Sequence, residues 1–143
     1  MSGPVAHQAS CVAIHGRAVL IEGPPGSGKS SLVLALLDRG ATLVGDDGVL
    51  LERIADQLIA KPHPRIAGLV EVRNLGLLQI AEPVAAPVAL VLTFDPDPPR
   101  FIDAAETCER HGVALPLIRL APSSPILPLK AELALEQYGL PLA

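Results

Sequence analysis

Aromatic side chains are scarce in this sequence. The chain has no tryptophan, and its aromatic residues are Phe94, Phe101 and Tyr138. Half of the 143 residues are nevertheless apolar, so the core must consist of Leu, Val, Ile and Ala. A chain of this kind can bury enough surface to offset its ordering entropy. Disorder is therefore excluded, in spite of 15 prolines and 12 glycines.

Cysteine, charge and long apolar runs are also limited. Two cysteines, Cys11 and Cys108, are too few for a disulfide framework or a zinc site. A net charge of −4 gives no basic footprint for nucleic acid. The longest apolar run, residues 83–94, is shorter than the roughly 20 residues that span a bilayer, and no export signal is visible. We therefore expect a cytoplasmic protein without nucleic-acid or membrane partners, with residues 1–143 forming one domain.

Short apolar segments separated by turn residues predict an α/β fold with many strands and few helices. The predicted strands are residues 10–14, 18–22, 41–44, 49–54, 57–60, 75–80 and 88–94. The predicted helices are one that begins at Lys29 and ends at Arg39-Gly40, and one over residues 130–138. Residues 102–111 fit no single type of element. The prolines cluster between these segments, because proline is excluded from central strands.

A glycine-rich loop between the second strand and the first helix matches G-x-x-x-x-G-K-[ST] in full. Its residues are Gly23, Pro24, Pro25, Gly26, Ser27, Gly28, Lys29 and Ser30, followed by Ser31. Such a loop turns backbone N–H groups toward phosphate oxygens, and the helix N-terminus adds partial positive charge. We expect Lys29 to bridge the β- and γ-phosphates and Ser30 to bind Mg²⁺. The motif predicts a nucleotide ligand but leaves the reaction open.

Two adjacent carboxylates, Asp46 and Asp47, follow the strand 41–44. The carboxyl end of a strand in an open α/β sheet lies beside the phosphate loop, where a carboxylate can accept a hydroxyl proton. A solvated Asp-Asp-Gly turn is the alternative. Asp95, at the end of the strand 88–94, is a rival metal carboxylate.

A second polar cluster, residues 71–76, lies between apolar segments. If the chain is extended there, Glu71 and Arg73 share one face and could form no more than a salt bridge.

Together these residues resemble the HPr kinase/phosphorylase family. That family has Arg-Gly and then Leu-Val-Ala-Asp-Asp after the phosphate-loop helix, and here the counterparts are Arg39-Gly40 and Leu43-Val44-Gly45-Asp46-Asp47. The run Glu71-Val72-Arg73-Asn74-Leu75-Gly76-Leu77-Leu78 is similar to the family signature Glu-Ile/Val-Arg-Gly-Leu-Gly-Ile-Ile. The similarity extends from about His7 to the closing helix. It implies a short form of the family, with the catalytic C-terminal domain and a mixed, phosphoenolpyruvate carboxykinase-like sheet that carries the P-loop.

The resemblance implies an ATP- and Mg²⁺-dependent kinase that phosphorylates a serine of the phosphocarrier protein HPr, with reversal by inorganic phosphate. It implies that Lys29 holds phosphate, and that Ser30, Glu71 and Asp46 serve the metal. Asp47 would accept the serine proton. His7 would tune that carboxylate, and Arg100 would act from a mobile loop. The family also implies a homo-oligomer, a hexamer.

Three residues depart from the family pattern. Pro25 stands in place of serine, Ser31 in place of an acidic residue, and Asn74 in place of a glycine, although Asn tolerates a left-handed backbone. These departures leave two alternatives open: a nucleotide-binding sensor with weak or lost catalysis, and a different small-substrate P-loop kinase that uses Asp95. The scarcity of aromatic rings predicts a site that grips mainly phosphates.

Overall fold

The computed structural model describes residues 3–142, which form strands and two helices. The strands are β1 (Val5–His7), β2 (Ser10–Ile14), β3 (Arg17–Glu22), β4 (Thr42–Gly45), β5 (Val49–Ile54), β6 (Gln57–Pro62), β7 (Leu69–Val72), β8 (Gly76–Gln79), β9 (Ala86–Phe94), β10 (Glu106–Arg110) and β11 (Val113–Leu120). The helices are α1 (Lys29–Asp38) and α2 (Leu127–Tyr138). Neither helix is long and apolar enough to cross a bilayer.

Most of the strands belong to one mixed sheet. Its central path runs β6-β9-β3-β2-β4, the hairpin β5–β6 continues it to β1, and β11 pairs with both β9 and β10. Strands β3, β9 and β11 are parallel, and β4 has the same direction because β2 is antiparallel to both β3 and β4. The carboxyl ends of these four strands therefore meet at one edge of the sheet.

Two apolar clusters cover the two faces of the sheet. Leu32, Leu36 and Leu135 from the helices pack with Ile21 and Leu92 on one face. On the other face, the buried side chains come from the main sheet and from the folded-over β5–β6 hairpin; they include Cys11, Leu20, Leu51, Leu58 and Leu115. The large buried residues are almost all aliphatic, as the composition predicted.

The α/β prediction with few helices is confirmed. The predicted strands 10–14 and 49–54 coincide with β2 and β5, whereas α2 begins three residues before the predicted start. It begins early because Pro128 is in its first turn, where the missing N–H is tolerated. The segment 102–111, which fits no single element from sequence, contains β10. Strands β1, β7 and β11 were not predicted.

Candidate functional site

The phosphate loop joins β3 to α1 at the edge where the parallel strands end. Gly26 and Gly28 have φ angles of 77° and 106°, a left-handed conformation that glycine adopts without steric cost. Helix α1 begins at Lys29 and has no acidic residue in its first turn. The Lys29 ammonium is nearly buried and donates to the carbonyl oxygens of Gly23 at 2.7 Å and Pro24 at 3.3 Å. A positive end of a helix and a held ammonium thus face the same cleft.

The hydroxyl of Ser27 supports the assignment of this loop to phosphate. It is buried and has no hydrogen-bond partner among residues 3–142. A buried polar atom without a partner carries a free-energy cost, which a bound phosphate oxygen would remove.

Asp46 is the most heavily hydrogen-bonded side chain of the cleft. Its carboxylate is 5% exposed and accepts the hydroxyl of Ser10 at 2.8 Å. It also accepts the Ser30 hydroxyl, 2.9 and 2.8 Å from its two oxygens, and the backbone N–H of Glu71 at 3.2 Å. One carboxylate therefore ties β2, α1 and β7 together.

Asp47 is next to Asp46 in the chain but has a different environment. Its φ of 61° is left-handed, so the backbone turns sharply after Asp46, and its side chain is exposed. The backbone N–H of Asp47 donates to the Ser10 hydroxyl at 3.3 Å. The side chain lines the phosphate cleft and also a second cavity of about 460 Å³ that it shares with His7, His63 and Arg65. The backbone at Asp47 thus forms an exposed turn, as the solvated-turn alternative expects. The Asp47 residue nevertheless lines two cavities.

The phosphate cleft has a volume of about 350 Å³ and brings together most of the predicted site residues. Its lining residues from the predicted set are Pro25, Gly26, Ser27, Gly28, Lys29, Ser30, Ser31, Asp46, Asp47 and Glu71. The predicted loop residues Gly23 and Pro24 contribute the carbonyl groups that Lys29 contacts. Glu71 enters from β7, and Arg73 enters from the turn that follows it.

The oxygen atoms in this cleft fit Mg²⁺. Ser30 and Asp46 are in contact, and Glu71 lines the same cleft. In the described part of the chain, no group of three or more His, Cys, Asp or Glu residues could hold a metal ion. A small set of oxygen ligands suits Mg²⁺, which keeps several waters and shares the phosphates of its substrate.

His7 lies outside the phosphate cleft, in a charged cluster with Glu22 and Arg110. Its Nε2 is 2.8 Å from Glu22 Oε2. Arg110 donates to both oxygens of Glu22, at 3.1 and 2.6 Å. Burial tends to raise the pKa of Glu22, but the hydrogen bonds from His7 and Arg110 and the charge of Arg110 outweigh it and lower the pKa to about 2. The carboxylate is therefore ionised, and His7 approaches Asp47 only across the cavity that both line.

Arg100 and Asp95 are not brought to the phosphate cleft. Arg100 lines a separate cavity between the loop after β9 and the end of β11. Asp95 accepts the backbone N–H of Asp97 at 2.9 Å and lies 4.0 Å from Arg119. Asp95, the alternative metal ligand, therefore lies outside the cleft that Ser30 lines.

Three residues near the site were not predicted from sequence: Ser10, Glu22 and Arg110. Arg73 was named from sequence only as a neighbour of Glu71, and it also lines the cleft. Ser10 is fully buried at the start of an otherwise apolar strand, and that isolated hydroxyl was the available signal. Glu22 ends the strand before the phosphate loop. Its partner Arg110 is 88 positions away, so no local pattern could pair them.

Comparison with known proteins places the chain in one family. The family model of the HPr Serine kinase C-terminal domain matches residues 1–84. The chain is 35% identical over 74 residues to the HPr kinase/phosphorylase of Mycoplasma mycoides subsp. mycoides SC. That match covers 52% of this chain and 24% of the relative, so the chain spans about a quarter of that protein.

A solved structure supports the same relationship over most of the fold. The Hpr(Ser) kinase/phosphatase from Coxiella burnetii superimposes with a TM-score of 0.80 at 26% identity. The match covers 92% of this chain and 88% of that one. The fold implied by the sequence resemblance is confirmed. The chain belongs to the family of HPr serine kinase C-terminal domains.

Proposed function

We propose that this chain is an ATP- and Mg²⁺-dependent protein serine kinase whose substrate is the phosphocarrier protein HPr. The observation that carries the proposal is the convergence of Lys29, Ser30 and Asp47 on one cleft, with Asp46 fixing Ser30. Relatives named HPr kinase/phosphorylase and Hpr(Ser) kinase/phosphatase support the choice of substrate. We further propose that residues 1–143 act as a single catalytic unit, in the cytoplasm and as a homo-oligomer.

The residues of the cleft divide the work of phosphoryl transfer. The loop N–H groups, the Ser27 hydroxyl and the Lys29 ammonium bind the phosphates. Ser30, Asp46 and Glu71 would hold Mg²⁺, which neutralises charge on the β- and γ-phosphates when it is bound. Pre-placed donors of this kind stabilise developing negative charge without reorganisation.

Asp47 acts on the acceptor rather than on the nucleotide. Its exposed carboxylate takes the proton of the substrate serine as the serine oxygen bonds to the γ-phosphorus and the bond to the β-phosphate oxygen breaks, which releases ADP. In the reverse direction, inorganic phosphate attacks phosphoserine and forms pyrophosphate, and Asp47 returns the proton to the serine oxygen.

The test is transfer of label from γ-labelled ATP to HPr in the presence of Mg²⁺. We expect Asp47→Asn to lower the rate of transfer by about 10²- to 10⁴-fold, the usual contribution of a general base, and to retain ATP binding. Asp95→Asn is the matched control and should transfer at the wild-type rate, because Asp95 lies outside the cleft. Loss of activity in Asp95→Asn would instead favour a different P-loop kinase.

A nucleotide sensor is the second candidate, because two of the residues that depart from the family pattern, Pro25 and Ser31, line the cleft itself. ATP binding without transfer to HPr by the wild-type protein would favour the sensor and overturn the kinase.

A further inference from the structure

A third cavity lies at the same sheet edge as the phosphate loop, on the side away from Asp46. Its volume is about 250 Å³. Its walls are the loop after β9, the end of β11 and the first turn of α2. The lining is largely apolar, with Phe101, Ile102 and Leu120. Its charged residues are Arg100, Lys130 and the ion pair of Arg119 with Glu106. Phosphoryl transfer as described above gives this cavity no role.

The sheet connects this cavity to the phosphate loop. β3, β9 and β11 are neighbouring parallel strands, with Glu22 opposite Thr93 and Thr93 opposite Arg119. Two strand spacings, roughly 10 Å, therefore separate the phosphate loop from β11. A Cβ built on Gly23 would lie 3.3 Å from the Phe94 ring, so the loop begins against the end of β9. Ligands of open α/β sheets bind outside the carboxyl ends of such strands.

The cavity presents the chemistry that a purine base requires. Phe101 is 80% exposed, an unusual position for one of the few aromatic rings of the chain. Every base has a π-face that can stack on such a ring. β11 pairs with β10 only from Val113 to Leu117, so the backbone beyond Leu117 forms a sheet edge beside the cavity. Edge strands present N–H and C=O groups, which can pair with the hydrogen-bonding edge of a base.

We propose that this cavity binds the adenine base of the nucleotide whose phosphates lie in the phosphate loop. The proposal rests on the proposed function, because it takes ATP as the ligand of that loop. It also revises the expectation of a site that grips mainly phosphates: one exposed ring, Phe101, supplies the stacking surface.

The experiment compares the affinity of ATP with that of tripolyphosphate, which has the phosphates but no base. Both are titrated into the protein with Mg²⁺ by calorimetry. Phe101→Ala removes the ring, and Ala121→Trp fills the cavity from the end of β11. Ile54→Ala is the matched control, because Ile54 is a half-exposed apolar side chain at the opposite end of the sheet.

We expect Phe101→Ala and Ala121→Trp to weaken ATP binding about tenfold, the loss that follows from one base–aromatic stack, and to leave tripolyphosphate binding unchanged. Ile54→Ala should change neither. Unchanged ATP affinity in both cavity variants, or an equal loss of tripolyphosphate affinity, would overturn the proposal. A wild-type protein that binds neither ligand would instead overturn the proposed function, so the two failures are distinguishable.

Discussion

The two sides of the phosphate loop differ in how their side chains are held. On the side of β2 and β4, Asp46 is 5% exposed and accepts hydrogen bonds from Ser10, Ser30 and Glu71. On the side of β9 and β11, Phe101 is 80% exposed and the cavity is mostly apolar. On the first side, hydrogen bonds hold a buried carboxylate in place. On the second side, the cavity lining is mostly apolar and its aromatic ring is exposed.

The ligands proposed for the two sides account for this difference. Metal and phosphate groups need oxygen and nitrogen atoms fixed in advance, because reorganisation during the reaction would cost free energy. A base needs apolar area and a few hydrogen bonds, which a ligand can complete when it arrives. Substitutions on the Asp46 side should therefore lower both stability and phosphate chemistry. Substitutions on the β11 side should lower only the affinity for the base.

The largest effect on this comparison is expected from Asp46→Asn. The amide has the shape of the carboxylate but only one acceptor oxygen, so at least one of the donors loses its partner. We expect the affinity for Mg²⁺ in the ATP complex to fall by about 100-fold. The free energy of unfolding should fall by roughly 1–3 kcal/mol. Calorimetric ATP titrations at several Mg²⁺ concentrations, together with urea unfolding, measure both quantities.

Asp56→Asn provides the control for Asp46→Asn. Asp56 is exposed in the turn between β5 and β6, and removal of its charge should change neither quantity. If the ATP affinity of Asp46→Asn kept the wild-type dependence on Mg²⁺ concentration, Asp46 would have only a structural role. The proposal that the Asp46 side binds the metal would then be wrong.

Ser10→Ala should have the next largest effect. The Ser10 hydroxyl is fully buried, donates to Asp46 and accepts the N–H of Asp47, so it links the two carboxylate residues. We expect roughly 1–2 kcal/mol of lost stability and about tenfold slower transfer, because the turn that presents Asp47 loses a contact. Ser123→Ala, at an exposed position in the turn before α2 on the other side of the loop, should change neither. Equal effects of the two substitutions would contradict the expectation that only the Asp46 side affects both stability and transfer.

Glu22→Gln is expected to have a smaller effect, and one that depends on pH. The folded protein lowers the pKa of Glu22 from 4.5 to about 2, so between these values the unfolded chain binds more protons. The contribution of Glu22 to stability is therefore complete above pH 4.5 and is lost as the pH falls through about 2. We expect Glu22→Gln to be less stable at pH 7 by about 1–2 kcal/mol, a figure discounted for partial exposure. The difference should close in acid.

The same variant tests how Glu22 holds His7. A carboxylate can only accept, so Glu22 fixes the hydrogen of His7 on Nε2. We expect ¹⁵N chemical shifts to report the Nε2–H form in the wild type and a mixture of tautomers in Glu22→Gln. Glu52→Gln, which breaks the Glu52–Lys61 pair of the β5–β6 hairpin, is the control. If the tautomer of His7 were unchanged in Glu22→Gln, Glu22 would not be the residue that fixes it.

Sequence reasoning was most successful where the chemistry is local. The phosphate loop, its helix and the acidic pair are contiguous, and the carboxyl end of β4 brings Asp46 and Asp47 beside the loop as predicted. The different environments of these two carboxylates could not be predicted, because they depend on the left-handed backbone at Asp47 and on Ser10 in another strand. The roles implied for His7 and Arg100 stay predictions, since both lie outside the phosphate cleft.

The side with β11 was largely missed, and the reasons are physical. β11 contains Pro116, which weakens its strand signal, and its burial alternates irregularly. β1 has three residues and forms by pairing with β5, a tertiary contact that no local propensity encodes. The exposure of Phe101 also depends on where the loop after β9 settles against β11.

The smallest predicted effect concerns Asn74, in the turn after β7 from which Arg73 enters the cleft. Its φ of 75° is left-handed, as the replacement of a family glycine by Asn anticipated. Asn74→Ala should lower the free energy of unfolding by about 1 kcal/mol, the cost of a left-handed backbone for alanine, whereas Asn74→Gly should be nearly neutral. Neither variant should alter the rate of phosphoryl transfer if hydrogen bonds to Asp46, rather than this turn, fix the residues of the cleft.

Ala55 gives the matched test, because it has a similar φ of 56° in the β5–β6 turn, away from the cleft. Ala55→Gly should raise the free energy of unfolding by about 1 kcal/mol, because it removes the same backbone strain. Urea unfolding and transfer assays on the three variants separate the two contributions. If Asn74→Ala lowered transfer as well as stability, the turn itself would position Glu71, and the polar side would depend on backbone strain in addition to the contacts of Asp46.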